Sequence, residues 1–204
     1  MTALSAAFSL FLLGGLASGQ HVAGKWRGGI HDGGNEQGLR WCLNSPYHAV
    51  ANGYCHTADL EDYGRCCSAT IHVYWDLHDL CRSRGGQVAM FPPNVTEFGK
   101  VFDTVVKFMD DRGYNIIYTG GIQRNQNNIR WFWTTLPHNW MGMEDMEDKM
   151  QHWAKSQPNT YQVYPERKDH KSAAFRADKA ERKKLYAVHL NQANAGVLCR
   201  WHIH

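Results

Sequence analysis

The sequence predicts an α+β fold. Three observations carry that expectation. Two stretches place apolar residues at helical spacing, short apolar and β-branched runs follow them between turn residues, and such runs return near the C-terminus. That order argues against a repeating βαβ unit. The chain also has six cysteines, Cys42, Cys55, Cys66, Cys67, Cys81 and Cys199. An even number in a chain bound for an oxidising compartment implies three bridges, so the fold is expected to be disulfide-stapled.

Taken in order, residues 1–19 read as a signal peptide. An apolar run from Ala6 to Leu16 ends in the small residues Ala17, Ser18 and Gly19, and the mature chain would begin near Gln20. The run is too short to span a hydrocarbon core of about 30 Å, and no later stretch is apolar enough for an anchor. Secretion, with no membrane anchor, is the expectation. The remaining chain of about 185 residues suits one core. From His21 to Arg40 the density of glycine and scattered charge reads as a flexible arm. Residues 41–67, with four cysteines and frequent turn residues, read as loop-rich and locally bridged. Residues 20–65 are thus expected to form an arm and extension, and residues 66–204 the folded domain.

In that domain Ile71, Tyr74, Leu77 and Cys81 recur at helical spacing, and Gly85-Gly86 supplies a left-handed stop. Gln87 to Phe91 reads as a strand ended by Pro92-Pro93. Phe98, Val101, Phe102, Val105, Val106 and Met109 mark the clearest helix, with Thr96 as its expected N-cap and Gly113 past its end. Ile116 to Thr119 and Arg130 to Thr134 read as strands around an asparagine-rich turn. Leu185 to His189 and Val197 to Trp201 are the last strand candidates.

Charge and motif content narrow the function. A net charge of +3 does not by itself imply a nucleic-acid partner or a membrane surface. The cysteines lack the paired spacing of a zinc site. The chain has no Gly-x-Ser-x-Gly elbow, no phosphate-cradling glycine loop and no His-Glu-x-x-His, so no residue is assigned a catalytic role and the reading is of a non-enzyme. Its histidines, including His72 with His78 and the terminal His202 and His204, read as surface or partly buried residues. Asn94-Val95-Thr96 is a glycosylation sequon beside a proline turn.

Several pieces then fall in a recognisable order. They are Cys81 to Ala89, Tyr118-Thr119-Gly120-Gly121, Trp131-Phe132-Trp133, the loop Trp153-Ala154-Lys155-Ser156-Gln157-Pro158-Asn159, and Val197-Leu198-Cys199. Together they resemble the C-type lectin-like domain over about Cys66 to Trp201. The loop matches the family's Trp-x-x-Gly-Glu/Gln-Pro-Asn/Asp motif with Ser156 in the glycine's place. The resemblance implies two helices, small antiparallel sheets, a long loop region and a Cys81–Cys199 bridge. Closing a loop of that length contributes about 4–5 kcal/mol in the chain-entropy model.

The resemblance also implies a binding mode. In the family a proline, usually cis, turns two flanking side-chain carbonyls toward one Ca²⁺ that also takes sugar hydroxyls. Gln157 and Asn159 would supply two ligands and Glu166 a third, with Pro158 between them and Trp140 as an exposed stacking partner. Counting back from Cys199, the family's Asn-Asp ligand pair falls on Ala187-Val188, which leaves too few anionic oxygens to hold Ca²⁺ well. Both members of the family's second bridge are missing, one position falling on Asn191. The expectation is a recognition protein that binds an extracellular glycan or glycoprotein through Gln157-Pro158-Asn159, with weak or absent calcium dependence. The alternative is a calcium-independent protein-binding or matrix component. The basic insert from Tyr161 to Lys184 offers a further partner, sulfated polysaccharide, unless it is a solvated helix face paired with the acids from Glu144 to Asp148.

Overall fold

The computed structural model describes residues 36–60, 73–91, 96–124, 130–133, 144–146, 152–158, 170–190, 192 and 194–204. In chain order these form α1 (Glu36–Asn44), β1 (His48–Ala51), β2 (Tyr54–Thr57), α2 (Val73–Ser83), β3 (Gln87–Val88), α3 (Gly99–Arg112) and β4 (Ile116–Arg124). They continue with β5 (Arg130–Trp133), β6 (Glu144–Met146), β7 (His170–Arg176), β8 (Tyr186–His189), β9 (Ala195–Val197) and β10 (Cys199–His202). The α+β class is as expected. Among the described residues no helix is long and apolar enough to cross a membrane.

Two sheets organise the chain. One has the order β1-β2-β10-β3, so the C-terminal strand lies between the early hairpin and the strand after α2. The other runs β6-β5-β4-β7-β8, with β9 pairing in parallel onto β4. Phe91 sits where the layers meet, edge-on to Phe98, Phe102 and Trp133. Trp131 and Trp133 are buried on β5, which fits their expected place in the core.

The second helix expected from periodicity is α3, with Val101, Phe102, Val105 and Met109 all buried. Gly113 ends it in the left-handed conformation. Thr96 is not its cap: the N-cap position is Phe98, in a helical conformation with no side-chain cap. Burial of the Phe98 ring against Phe91 and Phe102 anchors the start instead. At the end of α2, Gly85 is left-handed, and the Gly86 N–H donates to the Cys81 carbonyl at 2.9 Å. This pairing closes a Schellman motif where the glycine pair predicted one.

Three expectations are revised. Residues 36–40, read as the end of a flexible arm, are the first turns of α1. Gly38 is there because α1 lies against the Trp201 indole: a Cβ at that position would stand 2.5 Å from Trp201 Nε1. Its glycine marks a close approach rather than missing structure. Residues 41–57 are a helix end and a hairpin rather than loops, joined by a Cys42–Cys55 bridge, and β2 pairs directly with β10. The run Val197 to Trp201 is two strands, since β9 pairs with β4 whereas β10 pairs with β2 and β3.

The Cys81–Cys199 bridge that the resemblance implied is present, with an S–S distance of 1.97 Å across 118 positions. It ties the last turn of α2 to the first residue of β10.

Candidate functional site: the Gln157-Pro158 loop on strand β8

The loop from His152 to Pro158 is built from its base upward. His152 is buried among the rings of Phe98 and Phe102, and Trp153 packs edge-on against Trp131 with ring centres 4.9 Å apart. With those two side chains inside, the backbone runs beside the start of β8. The Leu185 N–H donates to the His152 carbonyl at 2.8 Å, and the Ala154 N–H donates to the Leu185 carbonyl at 3.0 Å. This is a short parallel bridge between Trp153 and Leu185.

Beyond it the chain turns back. Ser156 takes a left-handed backbone, φ 63°, and the Gln157 N–H donates to the Ala154 carbonyl at 3.0 Å. The left-handed turn accounts for the glycine that the family motif carries here. The Lys155 N–H donates to the Glu181 carboxylate at 2.8 Å. The Gln157–Pro158 peptide bond is cis.

The side chain of Gln157 then turns onto β8. Its Oε1 accepts a hydrogen bond from the Ala187 backbone N–H at 3.0 Å. The residues that stand where the family keeps a calcium-binding pair, Ala187 and Val188, are 4% and 2% exposed, and both pack into the apolar core. Ala187 and Val188 therefore offer a Ca²⁺ no side-chain oxygen. A hard cation needs several oxygen ligands, anionic ones above all. Here two positions are methyl-bearing, and the one carbonyl oxygen already faces the positive end of an N–H. Among the described residues no group of three or more His, Cys, Asp or Glu side chains is placed to hold a metal ion. Asn159, Glu166, Trp140 and the sequon residue Asn94 lie outside the described residues.

Tyr118, expected only as a core aromatic, secures the far end of β8. Its phenol donates to the His189 carbonyl and accepts from the Gln192 N–H at 3.2 Å. Burial pushes its ionisation well above the usual tyrosine range. Nothing in a single sequence marks this tether, because its partners are backbone groups more than seventy positions away.

The basic insert also differs from expectation. Its described part is strand β7 and turns rather than a helix. Among the described residues, its cations meet carboxylates on α3 and in the insert itself. Arg182 forms a bidentate pair with Asp110, at 2.6 and 3.1 Å, and Lys183 pairs with Asp103. Arg176 is held by Asp178 in the same bidentate way, at 2.7 and 2.8 Å, with Lys179 3.5 Å from the same carboxylate.

No protein-family model matches the chain, and no curated protein does. Solved structures of similar shape are C-type lectin domains. One is the lectin domain of murine dendritic cell inhibitory receptor 2, in complex with an N-glycan, 11% identical, at a TM-score of 0.46 over 78% of this chain and 98% of that one. Human scavenger receptor C-type lectin carbohydrate-recognition domain is 12% identical, at 0.45 over 78% and 98%. The lectin CEL-I from Cucumaria echinata is 12% identical, at 0.43 over 78% and 98%. These likenesses are of chain path. The chain's own features define the class: the helix-to-last-strand bridge, the Trp-x-Trp strand in the core and the Gln-Pro loop seated beside β8. The architecture is C-type lectin-like.

Proposed function

We propose that this chain is a secreted recognition domain that engages an extracellular glycan or glycoprotein without calcium held at the Gln157-Pro158 loop. The observation that carries the reading is the hydrogen bond from the Ala187 N–H to Gln157 Oε1. A protein donor satisfies the loop oxygen that would otherwise face the ion, and the neighbouring strand positions are apolar. The loop is thus held in place by the chain itself, through this bond and the Trp153–Leu185 bridge. The two disulfides among the described residues favour an oxidising setting and agree with a signal peptide at residues 1–19.

The test is retention of the mature chain on immobilised glycans, sulfated ones included, in calcium and again in EDTA. Retention indifferent to EDTA, and lost in Asn159→Ala, is the expected result. Retention lost in EDTA would overturn the reading. Binding confined to sulfated sugars and released by salt would move the contact to the basic insert, against the carboxylate pairing of Arg176, Arg182 and Lys183. A second reading, a protein-binding or matrix component, is favoured by the burial of Ala187 and Val188, and absence of retention on every glycan would select it.

A further inference from the structure

The last strand carries a second cluster unrelated to the loop. β10 pairs with β2 in the register His202↔Tyr54 and Arg200↔His56, and the pairing runs on past the strand through an Ile203 N–H that donates to the Gly53 carbonyl at 2.9 Å. That extension holds the backbone extended, so His202 and His204, two positions apart, fall on one face. The Nδ1 atoms of the two imidazoles stand 3.3 Å apart. The His202 ring is braced edge-on by Tyr54 at 5.2 Å, and His204 is open to solvent.

This separation has a chemical meaning. Two imidazole nitrogens bound to one tetrahedral Zn²⁺, each about 2.0–2.1 Å from the metal, stand about 3.3–3.4 Å from one another. Without a metal, the contact needs a proton on one Nδ1 and a lone pair on the other. With both protons on Nε2, both Nδ1 atoms carry lone pairs, 3.3 Å apart. Neutral imidazole is a ligand for borderline divalent ions rather than for calcium. Arg200, two positions before His202 on β10, is stacked over the Tyr54 ring at 4.3 Å, where the π-face takes up part of its charge.

We propose that His202 and His204 form a two-histidine site for a borderline divalent transition metal such as Zn²⁺, bound through both Nδ1 atoms with the remaining positions open to water. The site is independent of the Gln157 loop and of what that loop binds.

Zn²⁺ titration of the full chain by calorimetry, together with ¹⁵N spectra of the histidine rings, tests it. The expected result is one site lost, with affinity there reduced about tenfold or more, in His204→Ala and equally in His202→Gln. His48→Ala, on the hairpin's other strand, leaves it unchanged. In the spectra the Nδ1 resonances of His202 and His204, rather than the Nε2 ones, move on Zn²⁺ addition. Because His204 is exposed, its replacement tests the site without a folding burden. Zn²⁺ affinity unchanged in His204→Ala, or shifts confined to other histidines, overturns the proposal.

Discussion

Gln157 and Ala187, thirty positions apart, are joined by a hydrogen bond from a β8 backbone N–H to a side-chain carbonyl. It makes the Gln157 side chain part of the sheet's edge.

Replacing Gln157 by Met keeps the length and removes the acceptor. The Ala187 N–H is then left beside buried side chains without a partner, a loss of about 1–2 kcal/mol. Urea unfolding should show that loss, and the Ala187 amide should exchange faster while those in β4 keep their protection. Gln157→Glu, which retains an acceptor, should lose less. Equal stability of wild type and Gln157→Met would mean that the bond does not hold the loop.

Ser156 has a left-handed backbone at a position where the family motif has glycine. Glycine reaches that conformation without the Cβ penalty, partly offset by its larger entropy in the unfolded chain. Ser156→Gly is expected to stabilise the protein by about 0.5–1 kcal/mol. Thermal unfolding measures this, and a lowered melting temperature would refute it.

Stability should also fall in acid because of His56. Burial first, and the Arg200 guanidinium second, hold its pKa down to about 3 from an ordinary 6.5. The sign follows from proton counts. Between those two values the unfolded chain binds the proton and the folded one does not, so lowering the pH favours unfolding by about 1.4 kcal/mol per unit. The contribution is absent above about 6.5. Comparing urea midpoints at pH 7 and pH 5, wild type should lose about 2 kcal/mol more than His56→Phe, which cannot take up the proton.

Some of this was readable from residues alone. The periodicity from Phe98 to Met109 and the glycines at 85 and 113 specify helices and their ends, because side chains three and four apart share a face and only glycine takes a left-handed turn cheaply. Trp131-Phe132-Trp133 announced a half-buried strand by the same local logic. The cysteine count announced bridges but not their partners; Cys81–Cys199 came from the family likeness.

Other features were decided by tertiary contact. Glu36 to Arg40 is helical because α1 packs on Trp201, a partner far along the chain. Leu198 separates strands of two different sheets although the apolar run around it is continuous. Arg182 and Lys183 look like a free basic patch until α3 brings Asp110 and Asp103 to them. The residue types at Gln157 and Ala187 were plain in the sequence, and so was the shortage of anionic ligands. That the glutamine's oxygen is taken by a strand's own N–H depends on where the loop comes to lie, and only the packing of Trp153 and His152 into the core puts it there.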